Sequence, residues 1–168
     1  TLIYHSAAGA EFATVIVGYE KKTFTIHKDL LIHYSDFFRA ALAGQFREVH
    51  ENTVKLPEDE PLYFEIFVHW LYYQRFLHKD MGDDADLLAQ LTMEDGAVDA
   101  DTFIYLYVFA DKYKVSQFLH ESITGMLFAI NDHRNASLPG PVAINDALSS
   151  LDVTSPMCRL IVELIAYW

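Results

Sequence analysis

The sequence predicts an α+β fold in which a small three-stranded sheet packs on a cluster of helices. Two strand-like segments, residues 13–17 and Lys22–His27, stand next to each other near the N-terminus. Residues 27–48 follow, and their apolar side chains recur at spacings of three and four, which is the helical period. A third strand-like segment, Thr53–Leu56, comes next. A strand pair that leads into helices and returns to a strand makes a compact α+β unit.

Each strand is predicted from its pattern of apolar residues. The first, ATVIV, is β-branched and almost entirely apolar, which indicates burial on both faces. The second alternates, with Phe24 and Ile26 on the buried face and threonines on the other, so the first two strands should form a hairpin. The third also alternates and directs Val54 and Leu56 inward.

The helices of the first half are predicted from caps and breakers. Ser35 is a good N-cap, so the helical segment should divide into two short helices, and Gly44 should end the second. Pro61 suits the first turn of the next helix, residues 61–75. This helix is apolar on nearly all sides, so it should lie centrally, with Trp70 buried.

The second half is predicted to be helical apart from one insertion, within which Asp86–Leu91 should form one or two helical turns. Residues 79–98 are acidic and contain two glycines, which is typical of a surface insertion. A helix over residues 99–115 and a following helix capped by Ser116 should form a hairpin. Two more helices are predicted, over residues 142–151 and from Ser155-Pro156 to Trp168.

Composition restricts the partner and the compartment. The 168 residues carry a formal net charge of -12, which argues against nucleic acid or an anionic membrane as a direct partner, because phosphate binding needs clustered Lys and Arg. The single cysteine, Cys158, fits a reducing, intracellular compartment, either cytoplasmic or nuclear. No transmembrane run or signal peptide is recognisable, and the apolar helical pattern at Trp168 indicates a fragment of a longer protein.

The sequence contains no recognisable catalytic, metal or cofactor site. Its eight histidines form no HExxH motif, and hydrolase and phosphate-binding motifs are missing too. Glu65 and His69 lie one helical turn apart, but no third ligand is near them in the sequence. His27, directly after the second strand, is expected to fix the strand–helix junction by hydrogen bonds. We therefore expect no enzymatic activity, no metal and no cofactor.

A set of short motifs occurs in a fixed order between Ala13 and Ile130. These are ATVIVG, KTFTIHK, SDFF, FRE, TVKLPED, FVHWLY and ADKY. In this order they resemble the BTB/POZ domain family, most closely its fungal members. The resemblance implies the BTB/POZ fold with a C-terminal helical extension. It places the BTB/POZ domain at residues 1–131, with an unusually long acidic insertion at 79–98, and the start of a truncated helical extension at 132–168.

The resemblance also implies a protein partner, because the family builds interaction modules rather than enzymes. Some members are substrate adaptors for cullin-three-type ubiquitin ligases and bind through a motif of hydrophobic residue, any residue and Glu. Here that motif falls on Phe46 and Glu48, an apolar anchor and a carboxylate that would fix its register. Alternatively, Phe46 packs on its own helix pair and Glu48 is a solvated charge.

Other functions stay open at this point. The chain is alternatively a homo-oligomerisation domain of a transcription or chromatin-associated factor, or a small enzyme with an unrecognised site. Many dimers of the family exchange an N-terminal helix and strand. Only residues 1–12 precede the first predicted strand here, and residues 7–10 show no amphipathic period. We therefore expect a monomer or a weak homodimer rather than a swapped dimer.

Overall fold

The structure is a computed structural model that describes residues 11–43, 51–77, 81–82, 85–91, 99–131 and 138–167. Its packing divides the chain into two compact units, Thr1–Arg75 and Phe76–Trp168. The three strands and the first helices belong to the first unit, and the later helices belong to the second. The predicted boundary between the BTB/POZ domain (1–131) and the helical extension (132–168) stays a prediction. Most of the predicted insertion at 79–98 lies outside the described residues.

A three-stranded sheet forms the first unit's scaffold, as the sequence predicts. Its strands are β1 (Phe12–Val17), β2 (Lys22–His27) and β3 (Thr53–Leu56), in the order β2-β1-β3. β1 pairs antiparallel with β2 and parallel with β3. Because neighbouring parallel strands need a long crossover connection, helices must stand between β1 and β3 in the chain.

The central strand is less buried than its apolar sequence suggests. Ala13, Val15 and Val17 are fully buried, whereas Thr14 and Ile16 are only half-buried. The prediction of burial on both faces was therefore wrong for one face. A single small sheet presents one face to the core and leaves the other partly open, even when its central strand is apolar.

Two short helices follow β2, and a serine separates them as predicted. They are α1 (Lys28–Tyr34) and α2 (Asp36–Ala43). The Ser35 hydroxyl accepts a hydrogen bond from the Phe38 N–H at 3.1 Å, so it is the N-cap of α2. Phe38 and Leu42 carry the buried face of this helix. The predicted stop, Gly44, lies outside the described residues.

The central helix is α3 (Pro61–Tyr73), with Pro61 in its first turn. It ends two residues earlier than predicted, because Gln74 adopts a left-handed conformation with φ 54° and its N–H bonds to the Trp70 carbonyl at 2.7 Å. Five of its residues are buried: Phe64, Ile66, Phe67, Trp70 and Leu71. Burial on every side does not extend to the last turn, where Tyr72 and Tyr73 are exposed.

In the described residues of the second unit, all regular elements are helices. Its helices are α4 (Ala85–Leu91), α5 (Ala100–Lys112), α6 (Ser116–Asn131), α7 (Pro141–Ser150) and α8 (Pro156–Tyr167). α5 ends before the predicted Val115, because Lys114 is left-handed with φ 53°. Ser116 is the first helical residue of α6 rather than its cap. α5 and α6 pack closely, and a β-carbon at Gly125 would overlap the Phe103 ring.

Candidate interaction surface

The two residues predicted to bind a partner, Phe46 and Glu48, lie outside the described residues. The chain on both sides of them is described. On one side, α2 buries Phe38 and Leu42 completely. On the other side, the Asn52 carbonyl accepts a hydrogen bond from the Thr14 N–H at 2.8 Å, directly before β3. The segment that carries the predicted motif is therefore attached at both ends to well-packed parts of the first unit.

The described part of the first unit has an exposed aromatic surface, which we define by Phe12, His27, Tyr72 and Tyr73. The Phe12 and His27 rings lie 4.5 Å apart between centroids, and His27 and Tyr72 lie 5.7 Å apart. Phe12 is 48% exposed, Tyr72 37% and Tyr73 63%. Tyr73 follows Tyr72 in the chain. Single exposed apolar residues are ordinary, but a group of neighbouring exposed aromatic residues is typical of a contact site.

Sheet register and helix packing bring this aromatic surface together. Phe12 opens β1 and is paired with His27, the last residue of β2. The last turn of α3 adds the two tyrosines. At the opposite end of β2, Lys22 Nζ lies 2.6 Å from Glu65 Oε2, so α3 contacts both ends of the strand. The aromatic surface therefore rests on regular elements rather than on a loop.

A pair of polar contacts holds His27 and Tyr72 together. The Tyr72 hydroxyl accepts a hydrogen bond from the His27 N–H at 3.3 Å and lies 2.8 Å from His27 Nδ1. The hydroxyl can donate to Nδ1 when the imidazole proton is on Nε2. His27 thus links the end of β2 and the start of α1 to α3, which confirms the prediction that it fixes this junction by hydrogen bonds.

Two neighbours position the Tyr73 ring. Its ring stacks on His69 at 4.6 Å, and the Arg75 guanidinium lies 5.6 Å from the ring centroid. Tyrosine and arginine are enriched at protein–protein interfaces because they combine a large apolar area with polar ends. The composition of this part of the surface is therefore typical of an interface.

Sequence reasoning missed the aromatic surface. Tyr72 and Tyr73 belong to a helix that is apolar on nearly all sides, so nothing in the local pattern distinguishes its exposed turn from its buried ones. Phe12 and His27 stand fifteen positions apart and meet only through the hairpin register. The available signal was the run of two tyrosines at the end of an apolar helix, since tyrosine often lies at the boundary between an apolar core and water.

The second unit contains a polar network that joins its helices. Asp101 of α5 accepts a hydrogen bond from the Gly140 N–H at 2.7 Å, and the Tyr105 hydroxyl donates to Asp146 of α7 at 3.3 Å. Burial raises the pKa of Asp101, and the neighbouring Asp99 carboxylate adds to this while the Gly140 hydrogen bond opposes it. Burial, followed by the nearby Asp146 carboxylate, also raises the pKa of Tyr105. These contacts connect α5 to α7 and to the residue directly before it.

Glu65 and His69, the pair one helical turn apart for which no metal was expected, both contact other side chains. Glu65 is bonded to Lys22, and His69 stacks on Tyr73. Within the described ranges, no group of three His, Cys, Asp or Glu side chains is arranged to hold a metal ion. Among the helices that the structure describes, none is long and apolar enough to cross a membrane.

Comparison with protein-family models identifies the family. The model of the BTB/POZ domain matches residues 4–95, which is more than half of the chain and includes the complete three-stranded sheet. A search of curated proteins found no match. The sheet order, the Ser35 break between the first two helices and the central α3 all fall within the matched range. The chain therefore belongs to the BTB/POZ domain family.

Proposed function

We propose that this chain is a protein-interaction module that serves as a substrate adaptor for a cullin-three-type ubiquitin ligase. BTB domains mediate binding to protein partners or oligomerisation, so the general part of this function follows from family membership. The adaptor role depends on Phe46 as apolar anchor and on Glu48 as the carboxylate beside it. A pocket-filling aromatic residue and one charge that fixes the register are a common arrangement at the centre of an interface.

The observation that supports the adaptor role is the attachment of the motif-bearing segment. The buried Phe38 and Leu42 anchor α2 before the segment. After the segment, directly before β3, the Asn52 carbonyl accepts a hydrogen bond from the N–H of Thr14 in β1. A short segment attached at both ends loses less conformational freedom on binding than a free one, which favours affinity.

The deciding experiment uses the variants Phe46→Ala and Glu48→Lys. Binding of the source organism's cullin is measured by titration calorimetry, and melting is measured in parallel. Phe46→Ala should weaken binding by about 2 kcal/mol, roughly thirtyfold in Kd, at an unchanged melting temperature. Phe37→Ala is the matched control, because Phe37 is a partly exposed aromatic residue of α2 outside the motif.

Three outcomes are informative. Lost binding with unchanged melting supports the adaptor role. A melting temperature lowered by several degrees assigns Phe46 to the chain's own core. If the unaltered chain does not bind the cullin at about tens of micromolar, an affinity near 6 kcal/mol, the adaptor role is abandoned and the general interaction module remains.

The charge of the chain adds a second measurable property. With a formal net charge of -12, the chain should meet a basic partner surface faster than a neutral protein would. Added salt screens this attraction and should lower the association rate while changing the dissociation rate little. A rate that is insensitive to salt would argue against a basic partner.

A second candidate function is homo-oligomerisation within a transcription or chromatin-associated factor. The aromatic surface of Phe12, His27, Tyr72 and Tyr73 favours it, because the same group of rings could face its copy across a twofold axis. Domains that accompany this one in the full protein discriminate the two. Zinc fingers would favour oligomerisation, and a substrate-binding domain would favour the adaptor.

The remaining assignments are part of the same proposal. They are a BTB/POZ domain over residues 1–131 with its insertion at 79–98, a helical extension that starts at 132, a kinship closest to fungal members, a cytoplasmic or nuclear location, and the absence of catalysis. The buried free Cys158 suits a reducing compartment. A screen for bound metal or cofactor in the purified protein tests the proposed absence of catalysis, and a tightly bound group would contradict that proposal.

A further inference from the structure

The turn between α7 and α8 is exposed and locally well ordered by hydrogen bonds. Val153 is 79% exposed, Asp152, Thr154 and Pro156 are exposed as well, and Ser155 between them is half-buried. The Ser155 N–H bonds to the Asp152 carbonyl at 2.8 Å, and the Thr154 N–H bonds to Asp152 Oδ1 at 2.7 Å. The turn thus presents a short run of side chains to solvent directly before a helix.

Ser155 ends this turn and begins α8. Its hydroxyl accepts a hydrogen bond from the Cys158 N–H at 3.2 Å, which makes it the N-cap. Pro156 follows it, and this is the one place in the whole sequence where Ser or Thr precedes Pro. A serine followed by proline in an accessible turn is the local feature that proline-directed protein kinases recognise.

We propose that Ser155 is a phosphorylation site for a proline-directed serine kinase and that the phosphate strengthens the start of α8. In the reaction, Ser155 Oγ forms a bond to the γ-phosphorus of ATP, and the bond from that phosphorus to the β–γ bridging oxygen breaks. The hydroxyl proton passes to the general base of the kinase, and ADP leaves. The site lies in the second unit, so it does not depend on the role proposed for Phe46 and Glu48.

The position of Ser155 determines the effect of the added charge. A phosphate at the N-cap faces the unpaired N–H groups and the positive end of the helix dipole, so it should stabilise α8. Arg159 lies four residues further on, is exposed, and shares the helix face with Ser155. Its guanidinium can therefore pair with the phosphate. The Asp152 carboxylate opposes this gain, which limits it to a moderate one.

The chain offers its own control for the site. Ser35 is also an N-cap and accepts a hydrogen bond from the Phe38 N–H at 3.1 Å. It is fully buried, however, and Asp36 rather than proline follows it. If a kinase required only a capping serine, Ser35 and Ser155 would be equivalent. Ser155 is half-buried in an exposed turn and is followed by Pro156, so only Ser155 should be modified.

The experiment treats the purified chain with a proline-directed kinase and ATP, and maps phosphate by mass spectrometry. A Ser-Pro peptide in the same reaction shows that the kinase is active. We expect one phosphoryl group at Ser155, none at Ser35, and none in Ser155→Ala. Pro156→Ala keeps the hydroxyl and should lose the labelling, which separates recognition of proline from simple access.

A second measurement tests the consequence. The phosphorylated chain should melt about 1–3 °C higher than the unmodified chain, and Arg159→Gln should reduce this increase. If the peptide is labelled while the chain is not, or if Ser155→Ala is labelled to the same extent, the site is excluded. A melting temperature that falls on phosphorylation would overturn the stabilising role.

Discussion

Trp70 and Tyr72 stand two positions apart on α3 and have opposite environments. Trp70 is fully buried, with the Tyr34 ring edge-on at 5.2 Å and the Phe67 ring stacked at 6.3 Å. Tyr72 is partly exposed, and its hydroxyl is hydrogen-bonded to His27. Two substitutions on the same helix therefore measure two different interactions, the packing of a core and the closure of a strand–helix junction.

Truncation of the buried Trp70 side chain should strongly destabilise the fold. Trp70→Ala removes the largest fully buried side chain of the described core and leaves a cavity, so we expect it to lower the free energy of unfolding by about 3–5 kcal/mol. Urea denaturation measures this change. Tyr73→Ala, on the exposed side of the same helix, is the control and should cost much less. A cost below about 1 kcal/mol for Trp70→Ala would contradict the central position of α3.

Removal of the Tyr72 hydroxyl should have a smaller, specific effect. Tyr72→Phe keeps the ring and leaves the His27 N–H and Nδ1 without this partner, so we expect a loss of about 0.5–1.5 kcal/mol. Tyr73→Phe is the matched control, since it removes a hydroxyl from the neighbouring exposed ring. Faster amide exchange at His27 in Tyr72→Phe should accompany the loss. Equal effects of the two substitutions would show that the junction does not depend on this hydrogen bond.

At the scale of elements, helix ends depend on contacts that lie outside the helix. α7 starts with Gly140 as N-cap residue, which has no side chain to cap it, and Pro141 has no N–H to offer. The Asp101 carboxylate of α5 bonds to the Gly140 N–H instead. The sequence predicted this helix over residues 142–151, one residue later than the observed Pro141–Ser150, and it could not identify a cap that comes from another helix.

The environment of Asp101 makes the stability of the fold depend on pH. The pKa of Asp101 is raised above 3.8, chiefly by burial, so the folded chain holds this proton more tightly than the unfolded chain does. The contribution of Asp101 to stability therefore falls as pH rises through that raised pKa. As pH rises from 3.8 through the raised pKa, Asp101→Asn should gain stability relative to the unaltered chain. Unfolding free energies at several pH values measure this trend.

Asp152 provides a control because its pKa is shifted in the opposite direction to that of Asp101. Hydrogen bonds from the Thr154 hydroxyl and N–H lower its pKa below 3.8, so its contribution is present above that value and is lost as pH falls through the lowered pKa. Asp152→Asn should therefore differ from the unaltered chain most at neutral pH and least in acid. If both variants follow the same trend, burial does not govern Asp101.

At the scale of the whole molecule, charge and exposed aromatic area act in opposite directions. The net charge of -12 makes copies of the chain repel one another at low salt. The aromatic surface of Phe12, His27, Tyr72 and Tyr73 favours contact between copies. The balance predicts a monomer at micromolar concentration and weak, salt-promoted association above it.

Light scattering over a range of concentrations and salt tests this balance. The association that appears at high concentration should increase with salt, because screening removes the repulsion. Phe12→Ala combined with Tyr73→Ala should reduce it, whereas the same double substitution at exposed Val142 and Val153 should not. A stable dimer whose mass does not change with concentration would rule out the monomer and would favour an oligomerisation domain.

Local sequence patterns were sufficient for most elements of the fold. The hairpin, the break at Ser35, the helix starts at Pro61 and Pro156, and the burial of Trp70 all depend on residues a few positions apart. Helix ends at Gln74 and Lys114 were missed, since a left-handed conformation in a residue other than glycine is set by the packing around it.

By itself, the sequence determined the three strands, the order of the helices and, through its motifs, the family. Each of these depends on short-range periodicity, on caps or on the order of segments along the chain. Only the tertiary structure decided that β3 lies parallel beside β1, that Asp101 caps α7, and that Phe12, His27 and Tyr72 form one surface. The physical reason is that these contacts join segments far apart in the chain, whose meeting depends on how the elements pack and is not encoded in any local pattern.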